Sequence, residues 1–211
     1  MGSRVLLVRH GQSEWNAQGR WQGQADPPLT DAGRAQARAV ARAIGGVDAI
    51  FSSDLRRAAE TAQIVSDALG VGPVIVDPAL RERDAGAWSG LTRDEIRERF
   101  PGYLPDDHHR VFAPSRTVPR RPPGWEPDGS VLDRALAALG RIHAVVGDGD
   151  ALAVTHGGVI YVLEDHLGEP FARLANGGGR WFEVDGERVT LGERILLVDD
   201  DGAPVTVPTE I

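Results

Sequence analysis

Side chains that bind anions or transfer protons follow four separate apolar segments of the chain. They are Arg9 and His10 after the first segment, Ser53, Asp54, Arg56 and Arg57 after the second, Arg81, Glu82 and Arg83 after the third, and Thr155, His156, Gly157 and Gly158 after the fourth. In an open α/β sheet, ligands bind outside the carboxyl ends of the strands. If the four segments are parallel strands, residues far apart in sequence therefore share one pocket. That pocket is predicted to contain His10, Arg56, Glu82 and His156.

These residue types suit the transfer of a phosphoryl group. A phosphoryl group carries charged oxygens, and the planar guanidinium of arginine offers paired donors to them. Backbone N–H groups at helix N-termini, expected near Asp54 and Gly157, add further donors. A neutral imidazole is a nucleophile toward phosphorus, and histidine is partly neutral at pH 7 because its usual pKa is about 6.5. A carboxylic acid then protonates the leaving alkoxide.

Apolar segments alternate with segments of helical pattern, which favours an α/β fold. Strands are predicted in "RVLLV", "VDAIFSS", "PVIVD" and "ALAV". Helices are predicted between and after them, with Thr30 as the N-cap of the first, Asp54 near the start of the second and Ser130 as the N-cap of the longest. The tail from Arg180 onward reads as antiparallel strands. This order predicts a three-layer αβα sandwich around a mainly parallel central sheet.

Length and composition are those of one ordinary globular domain, predicted to span residues 1–211. The chain has 211 residues, of which 41% are hydrophobic and 26% charged. A formal net charge of −8 disfavours a general nucleic-acid binder. The absence of cysteine excludes disulfides, a thiolate nucleophile and a cysteine-based zinc site.

Neither a membrane span nor a secretory signal is predicted. No apolar run approaches the roughly 18 residues of a spanning helix. The run Val5–Val8 is too short for a signal-peptide core of roughly 7–15 residues. We therefore expect a cytoplasmic protein that has no membrane partner.

Four blocks of the sequence resemble the histidine phosphatase superfamily, the phosphoglycerate-mutase-like group. They are "LVRHGQSEWN", "SSDLRRAAETA", "LRERDAGAWSGLT" and "VTHGGVI", in the order that the family shows. One Arg-His-Gly triplet is a weak signal, whereas four ordered blocks are a strong one. The resemblance implies a phosphoglycerate-mutase-like fold for the chain.

The resemblance also implies roles for individual residues. His10 is then the nucleophile that becomes a phosphohistidine, and Glu82 is the general acid of the first step and activates water in the second. The phosphate-binding residues are Arg9, His10, Asn16, Gln22, Arg56, His156 and Gly157. Gly11 lets the backbone turn tightly beside the nucleophile. No metal or cofactor is required, because arginine side chains supply the positive charge, and the partner is a small phosphorylated substrate.

Several site residues have simpler alternative interpretations. Arg56 fits an ion pair with Glu60 on its own helix, and we treat Arg57 as a surface residue. Glu82 lies between Arg81 and Arg83, which fits a solvated run of charges.

Other features have alternative interpretations as well. Asn16 and Gln22 fit turn positions, and the "NGGG" at Asn176 reads as a turn. Trp15, Trp21 and Trp88 are expected to serve packing. A zinc site made of two histidines and a glutamate is disfavoured, because neighbouring arginines would repel a dication.

The third block distinguishes a phosphatase from a mutase. "ERDAGAWSG" resembles the phosphatase form, with Gly86 and Trp88, and lacks the Tyr-Gly pair of the mutase form. We therefore expect a metal-independent phosphomonoesterase for sugar phosphates or phosphoglycerate derivatives. A phosphoglycerate-type mutase and a non-catalytic phospho-ligand binding module are the alternatives. The oligomeric state stays open, with a homodimer as one alternative.

One segment, about 101–128, stands outside the alternation of strands and helices, and we expect a lid-like insertion there. Its sequence "PPGWEPDGS" replaces the Gly-Gly-Glu-Ser that phosphatase relatives commonly show. The residues expected to select the alcohol part of the substrate are His108, His109, Arg110, Arg116, Arg120, Arg121 and Trp125.

Overall fold

The computed structural model describes residues 2–104 and 120–196, which contain six strands and six α-helices. The strands are β1 (Ser3–Arg9), β2 (Ala49–Ser52), β3 (Ile75–Val76), β4 (Asp150–Thr155), β5 (Gly178–Asp185) and β6 (Arg188–Leu196). The helices are α1 (Glu14–Ala17), α2 (Asp31–Ala43), α3 (Arg56–Leu69), α4 (Arg93–Arg99), α5 (Asp128–Val146) and α6 (Gly157–His166). Two 3₁₀ turns, Pro78–Leu80 and Gly86–Trp88, lie between β3 and α4.

All six strands form one sheet in the order β3-β2-β4-β1-β5-β6. β3, β2, β4 and β1 run parallel to one another, whereas β5 and β6 are antiparallel to their neighbours. The predicted mainly parallel sheet, closed on one side by antiparallel strands, is therefore confirmed. Because β1 and β4 are central and parallel, their carboxyl ends lie side by side, with Arg9 opposite Thr155.

Helices cover both faces of the sheet, as the continuous apolar strands predict. Leu6 and Val8 of β1 pack on one face against α2 and α3. Val5 and Leu7 point to the other face and pack against α5 and α6. The alternation along β1 therefore supplies both halves of the core and fixes the register of the strand.

Local capping signals located some helix ends correctly and others incorrectly. Thr30 caps α2, with its hydroxyl accepting from the Gly33 N–H at 3.0 Å, as predicted. Ser130 is not a cap, because α5 begins at Asp128, directly after Pro127, whose ring suits a helix start. Asp54 lies near the start of α3, as predicted, but Leu55 is the N-cap residue, and the Asp54 carboxylate binds the Arg81 guanidinium at 2.7 and 2.5 Å.

A third apolar cluster lies apart from the two sheet faces. Trp21, Trp88 and Trp125 meet edge to face, with ring centroids 5.3–5.7 Å apart. The Arg83 and Arg121 guanidiniums lie over the Trp125 ring, at 5.2 and 5.0 Å from its centroid. This cluster joins the segment that carries Glu82 to the far end of the 101–128 segment.

Part of the predicted insertion lies outside the described residues. This holds for residues 105–119, and with them His108, His109, Arg110 and Arg116. Their proposed part in substrate selection stays a prediction, as does the insertion itself. Among the helices of residues 2–104 and 120–196, none has the length and apolarity needed to cross a bilayer.

A close backbone crossing holds the segment after β1 against the start of α2. A Cβ atom on Gly11 would lie 2.3 Å from the Gly33 carbonyl oxygen, and one on Gly33 would lie 2.1 Å from that of Gln12. Gly11 is therefore required for this close approach rather than for a tight turn. The crossing fixes the backbone on both sides of Gly11, directly after His10.

We expect opposite effects when two helical glycines are replaced by alanine. Gly33→Ala should lower the free energy of unfolding by about 1–3 kcal/mol, because its Cβ meets backbone that must move. Gly140→Ala in α5 should raise it by about 0.5–1 kcal/mol, since no atom lies within 4 Å of the added Cβ and glycine weakens helix interiors. Urea unfolding of both variants measures the difference. Equal shifts in the two variants would show that the crossing is not tight.

Candidate active site

Two imidazoles from neighbouring strands meet at the carboxyl edge of the sheet. His10 follows β1 and His156 follows β4, and their ring centroids are 5.1 Å apart. Both side chains are buried, with exposed fractions of 3% and 0%. The parallel pairing of β1 with β4 therefore places residues 146 positions apart in one site, as the strand pattern predicts.

The backbone fixes the orientation and the tautomer of His10. Its Nδ1 lies 2.6 Å from the carbonyl oxygen of Gly11. A carbonyl oxygen only accepts, so Nδ1 carries the proton and Nε2 of the neutral ring carries a lone pair. The Arg57 Nε–H donates to this Nε2 at 3.2 Å. His10 thus presents an unprotonated nitrogen beside a guanidinium.

The surroundings keep His10 neutral. Burial, and after it the charges of Arg57 and Arg9, hold the pKa of His10 well below its usual 6.5. A histidine with a lowered folded-state pKa stabilises the fold above pH 6.5, and this contribution is lost as the pH falls below that value. At pH 7 the Nε2 lone pair is therefore unprotonated, and it can attack an electrophile once the hydrogen bond from Arg57 Nε–H is released.

Arg57, and not Arg56, is the guanidinium at the site, so the predicted placement of Arg56 in the pocket is wrong. Arg57 is 1% exposed, whereas Arg56 is exposed at the start of α3 and its backbone N–H donates to Asp26 Oδ1 at 2.6 Å. The helical period explains the difference. The buried residues of α3 are Arg57, Ala58, Thr61, Ala62, Val65 and Ser66. Arg56 instead lies on the polar face, at the spacing of Glu60 and Gln63.

Arg57 is held on three sides. Besides His10, it donates from Nη1 to the Ala25 carbonyl at 2.7 Å and from Nη2 to the Gly23 carbonyl at 2.9 Å. A guanidinium has five N–H groups, so these three contacts leave one on each Nη for an anion. Burial lowers the pKa of Arg57 to about 10, while the charge of Glu82 opposes that lowering. The side chain is therefore cationic at pH 7.

Arg9 enters the site from the end of β1, as predicted. The side chain is buried and donates from Nη1 to the Leu174 carbonyl at 2.7 Å. Asn176, which reads as a turn residue, also binds here, because its Nδ2 donates to the His10 carbonyl at 2.9 Å. Segment 174–177 thus orients Arg9 and His10. The letters "NGGG" predict a turn at this point, but they do not predict these hydrogen bonds.

His156 offers a second polar atom to the site. Its Nε2 lies 3.0 Å from Ser53 Oγ, and Ser53 Oγ accepts from the Leu55 N–H at 3.2 Å. The His156 Nδ1 is buried and has no hydrogen-bond partner in the described structure. Burial and then the charge of Arg57 lower the pKa of His156 well below 6.5, so the ring is neutral.

Glu82 reaches the same site from the segment after the first 3₁₀ turn. Its Oε2 accepts from the Gly158 N–H, in the first turn of α6, at 3.2 Å, and its Oε1 accepts from the Arg83 N–H at 2.7 Å. A Cβ on Gly158 would lie 2.2 Å from Glu82 Oε1. The absence of a side chain at position 158 therefore makes room for the carboxylate.

The other predicted phosphate-binding residues lie on buried segments beside His10. Asn16 belongs to α1, and its Oδ1 accepts from the Ser13 N–H at 3.1 Å while its buried Nδ2 has no partner in the described structure. Gln22 is buried, and its Oε1 accepts from the Ser13 hydroxyl at 2.8 Å. Gly157 is the first residue of α6, where backbone N–H groups are free of intrahelical partners.

The cluster has the composition of an oxyanion site with a nucleophile at its centre. Arg9 and Arg57 supply fixed positive charge, and the helix N-terminus and buried amide nitrogens supply donors. These cations also disfavour a dication. Within residues 2–104 and 120–196, no three histidine or carboxylate side chains are grouped so as to hold a metal.

Comparison with known families supports this interpretation of the site. The family model described as histidine phosphatase superfamily (branch 1) matches residues 5–190. This range contains all of the site residues described above.

Some relatives are named as mutases or mutase-like proteins and others as phosphatases. "Phosphoglycerate mutase-like protein 4" of Arabidopsis thaliana is 37% identical over 81% of this chain and 73% of its own length. "Metal-independent phosphoserine phosphatase" of the same plant is 35% identical over 76% of this chain and 67% of its own. The solved structure of a mycobacterial glucosyl-3-phosphoglycerate phosphatase with VO3 is similar at a TM-score of 0.77 and 29% identity, covering 92% of this chain and 97% of that one.

The two adjacent arginines give a test of the site's electrostatics. In Arg57→Gln the pKa of His10 should rise toward 6.5, because a cation and a donor that favour the neutral ring are removed. In Arg56→Gln the pKa of His10 should stay where it is. Histidine titration by NMR measures both, and Arg57→Lys, which keeps the charge, should keep most of the lowering. A His10 pKa that moves equally in the Arg56 and Arg57 variants would contradict this geometry.

Proposed function

Since the chain belongs to branch 1 of the histidine phosphatase superfamily, we propose that it hydrolyses phosphate monoesters of small metabolites through a phosphohistidine formed on His10. The observation that carries the proposal is the state of His10. Its Nδ1 is bound to a carbonyl and its Nε2 is unprotonated, buried and in contact with the Arg57 guanidinium. A nucleophile in this state needs no metal for activation.

In the first step the His10 Nε2 attacks phosphorus, and the bond from phosphorus to the alcohol oxygen breaks. The protonated carboxyl of Glu82 gives its proton to the departing oxygen, so that a neutral alcohol leaves. Glu82 is suited to this because the Gly158 and Arg83 N–H groups fix its carboxyl group at the edge of the site.

Fixed donors bind the negative charge on the phosphoryl oxygens throughout. Arg9 and Arg57 provide guanidinium N–H groups, and the first turn of α6 provides the backbone N–H group of Gly157. If the Ser53 hydroxyl donates to His156 Nε2, then the His156 Nδ1 carries the proton and donates to a phosphoryl oxygen. Because these donors are already in place, little reorganisation is needed as charge develops.

In the second step water attacks the phosphohistidine. Glu82, now a carboxylate, takes a proton from that water, and the bond from phosphorus to Nε2 breaks. Inorganic phosphate leaves, and both His10 and Glu82 return to their starting protonation states.

The proposed substrates are small phosphorylated metabolites of the sugar phosphate or phosphoglycerate type. We propose the cytoplasm as the compartment of the enzyme.

A phosphoglycerate-type mutase is the second candidate, because several relatives carry mutase names. Both activities use a phosphohistidine and differ in what accepts the phosphoryl group. A mutase returns it to an alcohol, whereas a phosphatase gives it to water. Gly86 and Trp88 of "ERDAGAWSG" favour the phosphatase.

The decisive experiment measures hydrolysis of an aryl phosphate and of 3-phosphoglycerate in the presence of excess chelator. We expect release of inorganic phosphate with both and an acid-labile phosphoenzyme after rapid quenching. His10→Ala should abolish both signals while the circular dichroism spectrum stays unchanged. An isomerised ester with no free phosphate would establish the mutase, and phosphate binding without turnover would establish a binding module.

Gly158→Ala tests the role of Glu82 without changing any ionisable group. The new Cβ displaces only the end of a flexible side chain, so the melting temperature should change little while kcat falls by about 10- to 100-fold, as expected when an acid is misplaced. Gly140→Ala, whose Cβ meets no atom within 4 Å, is the matched control and should leave kcat unchanged. Full activity in Gly158→Ala would show that the carboxyl does not act from this position.

A further inference from the structure

We propose that Arg134 of α5 is a positioning residue for Glu82, acting together with Glu126. This inference rests on the proposed function, because it concerns the general acid of that reaction. The charge of Arg134 is a lesser cause of the lowered pKa of His156, after burial and the charge of Arg57, whereas its hydrogen bonds hold the backbone that carries the acid.

Arg134 forms hydrogen bonds with the backbone immediately before Glu82. Its Nη1 donates to the Ala79 carbonyl at 2.8 Å and to the Arg81 carbonyl at 2.5 Å. Its other face binds the Glu126 carboxylate, with Nε on Oε1 at 2.8 Å and Nη2 on Oε2 at 2.9 Å. The planar guanidinium thus joins two segments with a geometry that an ammonium group cannot reproduce.

Glu126 forms hydrogen bonds with the residues immediately after Glu82. Its Oε2 accepts from the Asp84 N–H at 3.1 Å, and its own backbone N–H donates to the Asp84 carbonyl at 3.0 Å. Its backbone carbonyl accepts from Arg83 Nη1 at 2.7 Å. Residues on both sides of Glu82 are therefore tied to one ion pair.

This ion pair is stable in its charged form. Burial by itself would raise the pKa of Glu126, but the hydrogen bonds and charge of Arg134, with those from Asp84 and Ser130, hold it below its usual value. Arg134 is rigidly mounted, because α5 packs against the sheet along its whole buried face. The helix thereby fixes a segment that has no strand or α-helix of its own between β3 and α4.

A displaced acid has a specific kinetic signature. An alkoxide leaves poorly unless it is protonated, whereas a nitrophenolate leaves well without an acid. The constant kcat/KM reports only the steps up to release of the alcohol, so it is independent of the later attack by water. Loss of acid positioning should therefore lower kcat/KM for alkyl phosphates far more than for nitrophenyl phosphate.

The experiment compares Arg134→Ala and Arg134→Lys with Arg141→Ala on glycerol 3-phosphate and p-nitrophenyl phosphate. Arg141 is the matched control, because it lies on the same helix and forms a similar forked pair with Asp77. We expect kcat/KM for the alkyl ester to fall about 10- to 100-fold in both Arg134 variants, and that for the aryl ester less than about threefold. Arg141→Ala should leave both constants unchanged.

A double variant separates positioning from a general structural role. In the Glu82→Gln background, Arg134→Lys should cause almost no further loss with the alkyl ester, because the group that it positions is already gone. Equal losses with both esters, or additive losses in the double variant, would overturn the proposal. If Arg134→Ala fails to fold, the same criteria apply to Arg134→Lys. If the wild-type protein hydrolyses neither ester, the proposed function itself fails.

Discussion

An uncharged imidazole surrounded by cations is the constraint on which the rest of the site depends. The Gly11 carbonyl accepts from Nδ1–H and so leaves the lone pair of the neutral ring on Nε2, while burial, and after it the charges of Arg57 and Arg9, keep the ring neutral. Burying two guanidiniums is costly unless their N–H groups are paired. The acceptors are backbone carbonyls of two loops, Gly23 and Ala25 for Arg57 and Leu174 for Arg9. These loops are therefore part of the active site through their backbone carbonyls.

The sequence was sufficient for those features that side-chain pattern encodes. Continuous apolar strands predict a parallel sheet, and the charged residues that follow them predict the edge where the site lies. The choice between Arg56 and Arg57 was predictable as well. The spacing of Ala58, Thr61, Ala62 and Val65 places Arg57, and not Arg56, on the buried face of α3. The carbonyl acceptors were not predictable, because every residue has a carbonyl and only the tertiary path of a loop brings one to a guanidinium.

Hydrogen bonds between side chains replace helix capping at two polar residues near helix starts. Asp54 is a favourable N-cap residue, but both of its carboxylate oxygens bind the Arg81 guanidinium in a forked pair, and Leu55 is the N-cap of α3. Ser130 is a favourable N-cap as well, yet Pro127 starts α5 earlier, and the Ser130 hydroxyl donates to Glu126 instead. Arg81 lies on the segment next to Glu82, 27 residues from Asp54, so no local rule contains that pairing. Capping preferences of about 1 kcal/mol are too small to prevail against such networks.

The site residues lie on two separately packed parts of the molecule. One is the sheet with its helices, and the other is the third cluster, which contains Trp21, Trp88 and Trp125. His10, the proposed nucleophile, and His156 lie at the ends of β1 and β4, which are buried on both faces of the sheet. Glu82 stands on a segment that packs through Trp88 and Trp125 into the third cluster and is fixed from α5 by Arg134. In the proposed reaction, phosphoryl transfer requires the first arrangement to be invariant, whereas Glu82 of the second protonates the alcohol that leaves. A protein built in this way can change its substrate by altering the third cluster and its adjoining segment while the nucleophile keeps its position.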